Sequence, residues 1–206
     1  GRDFDDRGRL KSDAVALDEE TAEKLAAALR APSAAFTVTG LETKPYTRRP
    51  AAPFTTSTLQ QEAARKLRFS ARQTMSVAQG LYENGHITYM RTDSPTLSQQ
   101  AIQAARAQAT KLYGAESIPE SPRVYSGASK NAQEAHEAIR PAGDVFATPT
   151  EMQNVLRGND LKLYDLIWKR TVASQMLDAR LRSVAATFDA PLAGGGSAEL
   201  VARGKT

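Results

Sequence analysis

Residues 56–85, TSTLQQEAARKLRFSARQTMSVAQGLYENG, decide how the middle of this chain folds. Two segments rich in Ala, Gln and Leu, TSTLQQEAARKL and SARQTMSVAQGLYENG, predict two helices. Ser57 with Gln60, and Ser70 with Gln73, stand at capping-box spacing, and Gly85 is placed to end the second helix. Only Arg68 and Phe69 separate the two segments, so the chain must reverse sharply into a helix-turn-helix arrangement. The next run, GHITYMRTDS (85–94), falls where a winged variant of that arrangement carries its wing, and it predicts a strand. Alternation along a strand would put Ile87, Tyr89 and Arg91 on one side.

The flanks read differently. LDEETAEKLAAALR (17–30) predicts a helix, with Ala22, Leu25, Ala26 and Leu29 as its stripe and acids in its first turn. It lies between two predicted strands, one at the N-terminus and one over AAFTVTGLETK (34–44). Pro45, Pro50 and Pro53 then mark a stiff connector. Beyond the Tyr89 run come a helix over Gln99–Leu112 and a polar loop over 114–130. A helix capped by Thr148 follows, with Pro149 at its first position and Glu151 at its third, and then a buried helix over 160–177. LRSVAATFDAPL, the glycines 194–196 and AELVARG predict a closing pair of strands. The class is α+β: a mainly helical, winged-helix-like domain over 54–177, inserted into a β-rich module formed by 1–53 and 178–206.

With 206 residues, 41% hydrophobic and 24% charged, the composition is that of a globular protein with room for a real core. No run of about 18 apolar residues marks a membrane span, and no signal-peptide pattern is present. Cysteine is absent, which excludes disulfides, thiolate catalysis and cysteine zinc sites, and fits a reducing compartment. The net charge of +4 is unevenly spread. Residues 1–30 hold 6 basic and 8 acidic side chains, whereas residues 36–140 hold 13 and 8. The excess surrounds the Tyr89 run, notably at Arg65, Lys66, Arg68 and Arg72, and a phosphate-bearing partner is the natural suggestion.

Several motifs fail on inspection. The terminal RGKT lacks the first glycine of a phosphate loop, because position 199 is Glu199. Asp3, Asp5 and Asp6 lack a partner carboxylate two places on, where Arg7 stands, and read as a solvated strand end. Two constellations remain. In KNAQEAHEAIRPAGD (130–144), His136 and Arg140 are spaced i, i+4, so on a helix they would share a face able to grip a phosphate. Taken alone, His136 reads better as a structural histidine. Tyr89 could be a packed strand aromatic or a nucleophile. A phenol is a poor nucleophile until it loses or shares its proton, with a reference pKa of about 10. Phenolate is also a better leaving group than a sugar alkoxide, so a phosphotyrosine ester can be reversed by the displaced hydroxyl without fuel. Arg91 nearby could neutralise charge on the non-bridging oxygens.

Four blocks, PFTTSTLQQEA, LYENGHITYMRTDSPTLS, NAQEAHEAIRP and LYDLIWKRTVASQM, occur in that order, and together they resemble the bacterial type IA DNA topoisomerases. The likeness is strongest over 53–177, and the Ala- and Arg-rich composition suggests an actinobacterial form. The resemblance implies that Tyr89 breaks one DNA strand and holds its 5′ phosphate, with Arg91 positioning the scissile phosphate. It implies that His136 contributes to DNA binding, with Arg140 beside it in a matching motif, and that Asp93 orients Arg91 through a salt bridge. It implies that the flanks are parts of a β-rich arch domain. The partners implied are DNA, single-stranded and negatively supercoiled, and the Toprim and remaining domains of the same enzyme, with no membrane. Mg2+ would be held by acids of the Toprim domain and none by these residues, so that the 206 residues alone would be inactive. A cytoplasmic, nucleoid-associated location is implied as well. The competing readings are a winged-helix DNA-binding module in which Tyr89 and Arg91 only pack, and an interaction domain with no nucleic-acid role.

Overall fold

The computed structural model describes residues 4–10, 15–31, 34–125, 137–192 and 196–206. The chain divides into two units, one of Gly1–Tyr46 with Arg180–Thr206, the other of Thr47–Ala179. The units divide at 46/47 and 179/180, where the sequence led to 53/54 and 177/178.

In the discontinuous unit, α1 (Glu19–Arg30) starts at Asp18, whose side chain accepts from the Thr21 N–H, and it buries no residue. The strands are β1 (Thr37–Arg48), β2 (Ala179–Pro191) and β3 (Ser197–Lys205), in the order β1-β2-β3. β2 and β3 pair antiparallel, with Phe188 opposite Leu200 and Thr187 opposite Val201. β1 is an edge strand, the place in a sheet where a proline is tolerated, and it runs on through Pro45. The strand expected at the N-terminus is, over the described residues, a tight turn. Phe4 and Leu10 form an isolated bridge, and the Asp5 carboxylate accepts from the N–H groups of Arg7 and Arg9.

The continuous unit is helical. α2 (Thr56–Leu67) and α3 (Ala71–Glu83) form the expected helix-turn-helix, and α4 (Gln99–Tyr113), α5 (Pro149–Met152) and α6 (Gly158–Ser174) complete it. Arg68 takes the left-handed conformation, with φ 61°, and Phe69 plugs into the core, which is how two residues suffice for the turn. The α2 cap is Thr55 with Thr58, two residues before the expected Ser57 with Gln60. α6 is the central helix: Leu163, Tyr164, Leu166, Ile167, Trp168 and Val172 are buried. Thr148, Pro149 and Glu151 start α5 as their types require.

A second device ties α2 to α6. Glu62 is bridged by Arg65 (2.8 Å), Lys66 (3.1 Å) and Arg170 (3.4 Å), and the Arg170 guanidinium lies 4.2 Å from the centre of the Phe54 ring. The hydrogen bonds from Arg65 come first in holding the Glu62 carboxyl down at about 2, against a burial that alone would raise it.

Candidate active site

The Tyr89 run is not a strand. Its one bridge joins Ile87 to Pro141, and residues 88–98 pair with no sheet. A few backbone hydrogen bonds are supplemented by two threonine hydroxyls. The Thr88 hydroxyl donates to the Ala138 carbonyl (2.7 Å) and accepts from the Arg140 N–H (3.0 Å), while the Thr88 N–H donates to the Arg140 carbonyl (2.9 Å). On the other side, the Thr56 hydroxyl donates to the Met90 carbonyl (2.8 Å) and accepts from the Thr92 N–H (2.9 Å). Tyr89 and Arg91 therefore sit on a backbone pinned at both ends.

The extended backbone keeps the alternation that a sheet would have imposed. Met90 and Thr92 are buried, and Tyr89, Arg91 and Asp93 are exposed. Ile87 leaves that pattern: it is buried, so it does not share a side with Tyr89 and Arg91 as expected. Tyr89 is 45% exposed, which does not fit an aromatic packed into the core. Arg91 and Asp93 line an open cleft of about 460 Å³ with Thr92 and with Thr55, Thr56 and Ser57 at the N-terminus of α2. A guanidinium, hydroxyls and the positive end of a helix share this cleft, which suits an anion. The expected salt bridge is absent: among the described residues no ion pair joins Asp93 to Arg91.

Arg140 is placed differently from the expectation. Residues 137–142 are not helical. Ile139 bridges to Phe54 and Pro141 to Ile87, so Arg140 lies on an extended segment. The residue before a proline is driven out of the helical region, a signal present in the sequence at Arg140-Pro141. Nor does the side chain face outward. It is 10% exposed, and its guanidinium donates to both Glu137 oxygens (2.9 Å each) and to the carbonyls of Pro141 (2.8 Å) and Gly143 (3.0 Å). Glu137 also accepts from the Ser98 N–H that opens α4 (2.8 Å). Burial pushes the Glu137 carboxyl up, but Arg140 and Ser98 together outweigh it and hold the group below the usual range. His136 lies outside the described residues.

Arg68 and Arg72 are exposed and enter no ion pair among the described residues, unlike Arg65 and Lys66, which turn to Glu62. They stand at the opposite end of α3 from Tyr82 and Tyr89. At about 1.5 Å per residue that is about 15 Å from Arg72 to Tyr82 along the axis. The structure thus gathers Arg91 and Asp93 in one cleft, with Tyr89 exposed two residues before Arg91 but not among the residues lining it, and leaves Arg68 and Arg72 at a distance. Sequence reading missed Thr56, Thr88, Thr92 and Glu137, because a hydroxyl or carboxylate satisfying a distant backbone has no local spacing rule.

Asp93 is the one carboxylate lining the cleft, and among the described residues no three His, Asp or Glu side chains gather. A lone carboxylate beside a guanidinium does not fit a magnesium site. No helix of the described residues is long and apolar enough to cross a membrane.

A family model described as DNA topoisomerase matches residues 4–206. The chain is 64% identical over 182 residues to the DNA topoisomerase 1 of Mycolicibacterium smegmatis, covering 87% of this chain and 19% of that protein. It is 59% identical over 207 residues to the DNA topoisomerase 1 of Streptomyces coelicolor, covering 100% and 21%. Among solved structures, the full-length topoisomerase I from Thermotoga maritima in a monoclinic crystal form superposes with a TM-score of 0.63 at 35% identity, over 92% of this chain and 30% of that one. The chain spans about a fifth of the length of the curated relatives it matches.

Proposed function

This chain belongs to the DNA topoisomerase family, and on that premise we propose that it carries the nucleophile of a type IA reaction, with Tyr89 as the attacking group. The observation that carries the reading is an exposed phenol two residues before an exposed guanidinium, on a backbone fixed by Thr88 and Thr56, with the guanidinium lining a cleft suited to phosphate. The Tyr89 oxygen forms a bond to phosphorus as the bond to the 3′ oxygen breaks. One end of the strand leaves as a hydroxyl, and the other stays on the protein as a 5′ phosphotyrosine. Reversal by that hydroxyl reseals the strand without a nucleotide, because the ester keeps the bond energy. Arg91 neutralises the charge gathering on the non-bridging oxygens.

The substrate is DNA, single-stranded where it is cut and negatively supercoiled overall, which relaxes after strand passage. Passage and any Mg2+ requirement are assigned to regions outside these residues, including the Toprim domain that the family resemblance implies, and a cytoplasmic, nucleoid location follows from the substrate. The helix-turn-helix of α2 and α3 is the core of a winged-helix-like domain in which the non-strand Tyr89 segment takes the place of the wing, and the three-stranded unit is part of the arch. Arg68 and Arg72 hold flanking phosphates, and His136 contributes to DNA contact. Asp93 shares the cleft as a supporting group, without the salt bridge to Arg91. The inward guanidinium of Arg140 supports a structural role instead of a phosphate contact.

The test grafts residues 1–206 into the Streptomyces coelicolor relative in place of its matching segment. Tyr89→Phe keeps the ring and removes one oxygen. Folding and DNA binding are expected to survive while cleavage and the covalent adduct vanish. Protein still attached to the 5′ end of cut DNA would end the assignment, and a DNA-binding module would give no adduct in the parent either.

A further inference from the structure

Tyr89 has a fixed backbone but a half-exposed ring, and among the described residues the one aromatic ring against it comes from α3. The Tyr82 and Tyr89 ring centroids are 5.2 Å apart with planes at 65°, an edge-on contact. We infer that Tyr82 is a positioning residue for the nucleophile, holding the Tyr89 ring in the orientation from which its oxygen attacks. This rests on the reading of Tyr89 given above.

The contact follows from how α3 ends. Thr74, Ala78 and Leu81 are buried and anchor the helix, which leaves Tyr82 pointing outward at 40% exposure. Gly85, at φ 73°, then turns the chain back. The Gly85 N–H donates to the Tyr82 carbonyl (2.9 Å) and the His86 N–H to the Leu81 carbonyl (2.8 Å). A side chain at that φ would be strained, so the tight return depends on glycine. The return brings residue 89 beside residue 82.

An exposed phenol has two soft torsions, and its oxygen sits at the far tip of the ring, where small rotations become large displacements. Attack needs the reacting atoms about 3–3.5 Å apart, and a misplacement of about 1 Å can cost about 100-fold. The Thr88 and Thr56 hydrogen bonds fix where the ring is attached but not where it points. Tyr82, carried on an anchored helix, closes one side of its range. No hydrogen bond of the Tyr82 hydroxyl is formed among the described residues, so the ring and not the oxygen supplies the effect.

The experiment uses the same graft, carrying Tyr82→Phe, Tyr82→Leu or Tyr89→Phe. Single-turnover cleavage is followed on a single-stranded DNA oligonucleotide that the parent cuts, at saturating concentration, with its Kd measured separately. Tyr82→Phe is expected to cut within about two-fold of the parent. Tyr82→Leu should cut about three- to ten-fold more slowly, the range an aromatic edge contact supplies, with Kd unchanged within about two-fold. A Tyr82→Leu protein that cuts at the parent rate overturns the inference, as does one that loses affinity instead of rate, or a Tyr82→Phe protein as slow as Tyr82→Leu. Tyr89→Phe separates the two readings: an adduct there removes the nucleophile itself, whereas its absence beside a normal Tyr82→Leu removes only the positioning role. A readout without catalysis comes from the tyrosine ring resonances of the 206-residue chain. The Tyr89 signals should move in Tyr82→Leu and stay in Tyr82→Phe, and signals that stay in both overturn the contact.

Discussion

Thr56 and Thr92 hold each other by a reciprocal pair of hydrogen bonds: the Thr56 N–H donates to the Thr92 carbonyl, and the Thr92 N–H donates to the Thr56 hydroxyl, both at 2.9 Å. Thr56 is the first residue of α2, whose N–H groups have no partner within the helix. The pairing satisfies one of them and at the same time docks the Tyr89 segment against the helix end. One joint therefore fixes the geometry of both parts of the cleft, the helix terminus and Arg91.

Thr56→Val should separate shape from hydrogen bonding. Valine has nearly the same outline but leaves the Thr92 N–H without an acceptor and the Met90 carbonyl without its donor. Thermal unfolding of the 206-residue chain is expected to show a loss of about 1–3 kcal/mol. In the graft, cleavage should fall by more than DNA affinity does. Thr56→Ser, which keeps the hydroxyl, should recover most of both. Equal behaviour of the valine and serine variants would mean that the hydroxyl does not hold the segment.

Much of this was written in local sequence, and what was not has a physical reason. Thr148, Pro149 and Glu151 start α5 as read, because a cap is satisfied within four residues. The turn at Arg68 and Phe69 was legible as a length constraint, although nothing local showed that Arg68 would adopt φ 61°. The Tyr89 run has the alternation of a strand, and the exposed Tyr89, Arg91 and Asp93 keep it. Its partners, however, are hydroxyls and short bridges from residues about 35 and 50 positions away in sequence. At Arg140, helical spacing with His136 was outweighed by Pro141 and by pairing with Phe54 and Ile87, contacts that only the folded chain supplies.

Arg91→Lys tests whether charge alone suffices. Lysine keeps the positive charge but loses the planar fork that can hold two phosphate oxygens. In the graft, cleavage is expected to fall about 10- to 100-fold without vanishing, because Arg91 stabilises charge and forms no bond. An Arg91→Lys protein that cuts at the parent rate would show that a point charge is enough. One with no adduct at all would give the fork a larger part than is assigned to it here.

Glu62 makes the stability of the helical unit dependent on acid. Its folded carboxyl lies at about 2, chiefly through Arg65, below the usual value of 4.5. A depressed carboxyl contributes stability that is whole above about pH 5 and is lost as pH falls towards 2. Arg65 and Lys66 are largely exposed, so the contribution is discounted to about 1–2 kcal/mol. Trp168, the only tryptophan and 4% exposed, reports unfolding of this unit by fluorescence. Urea midpoints measured between pH 6 and pH 2.5 should fall less steeply in Glu62→Gln than in the parent, and parallel curves would remove Glu62 as a source of the acid sensitivity.

Arg72 and Arg140 should differ in how they feel salt. Arg72 is exposed and enters no ion pair among the described residues, whereas the Arg140 guanidinium is turned onto Glu137, Pro141 and Gly143. Each phosphate neutralised on single-stranded DNA contributes about 0.7 to the slope of log K against log salt. Arg72→Ala should therefore lower that slope by about 0.7 in the graft and leave the unfolding midpoint in place. Arg140→Ala removes no phosphate contact in this arrangement, but it leaves the half-buried Glu137 carboxylate without its guanidinium. Its expected signature is the reverse: an unchanged salt slope with a loss of about 2–3 kcal/mol of stability. Arg140→Lys should fall between, because an ammonium cannot bridge both Glu137 oxygens and reach two carbonyls at once. A fall in salt slope for Arg140→Ala at unchanged stability would turn its guanidinium outward in the complex with DNA, and would restore the phosphate contact that its pairing with His136 first suggested.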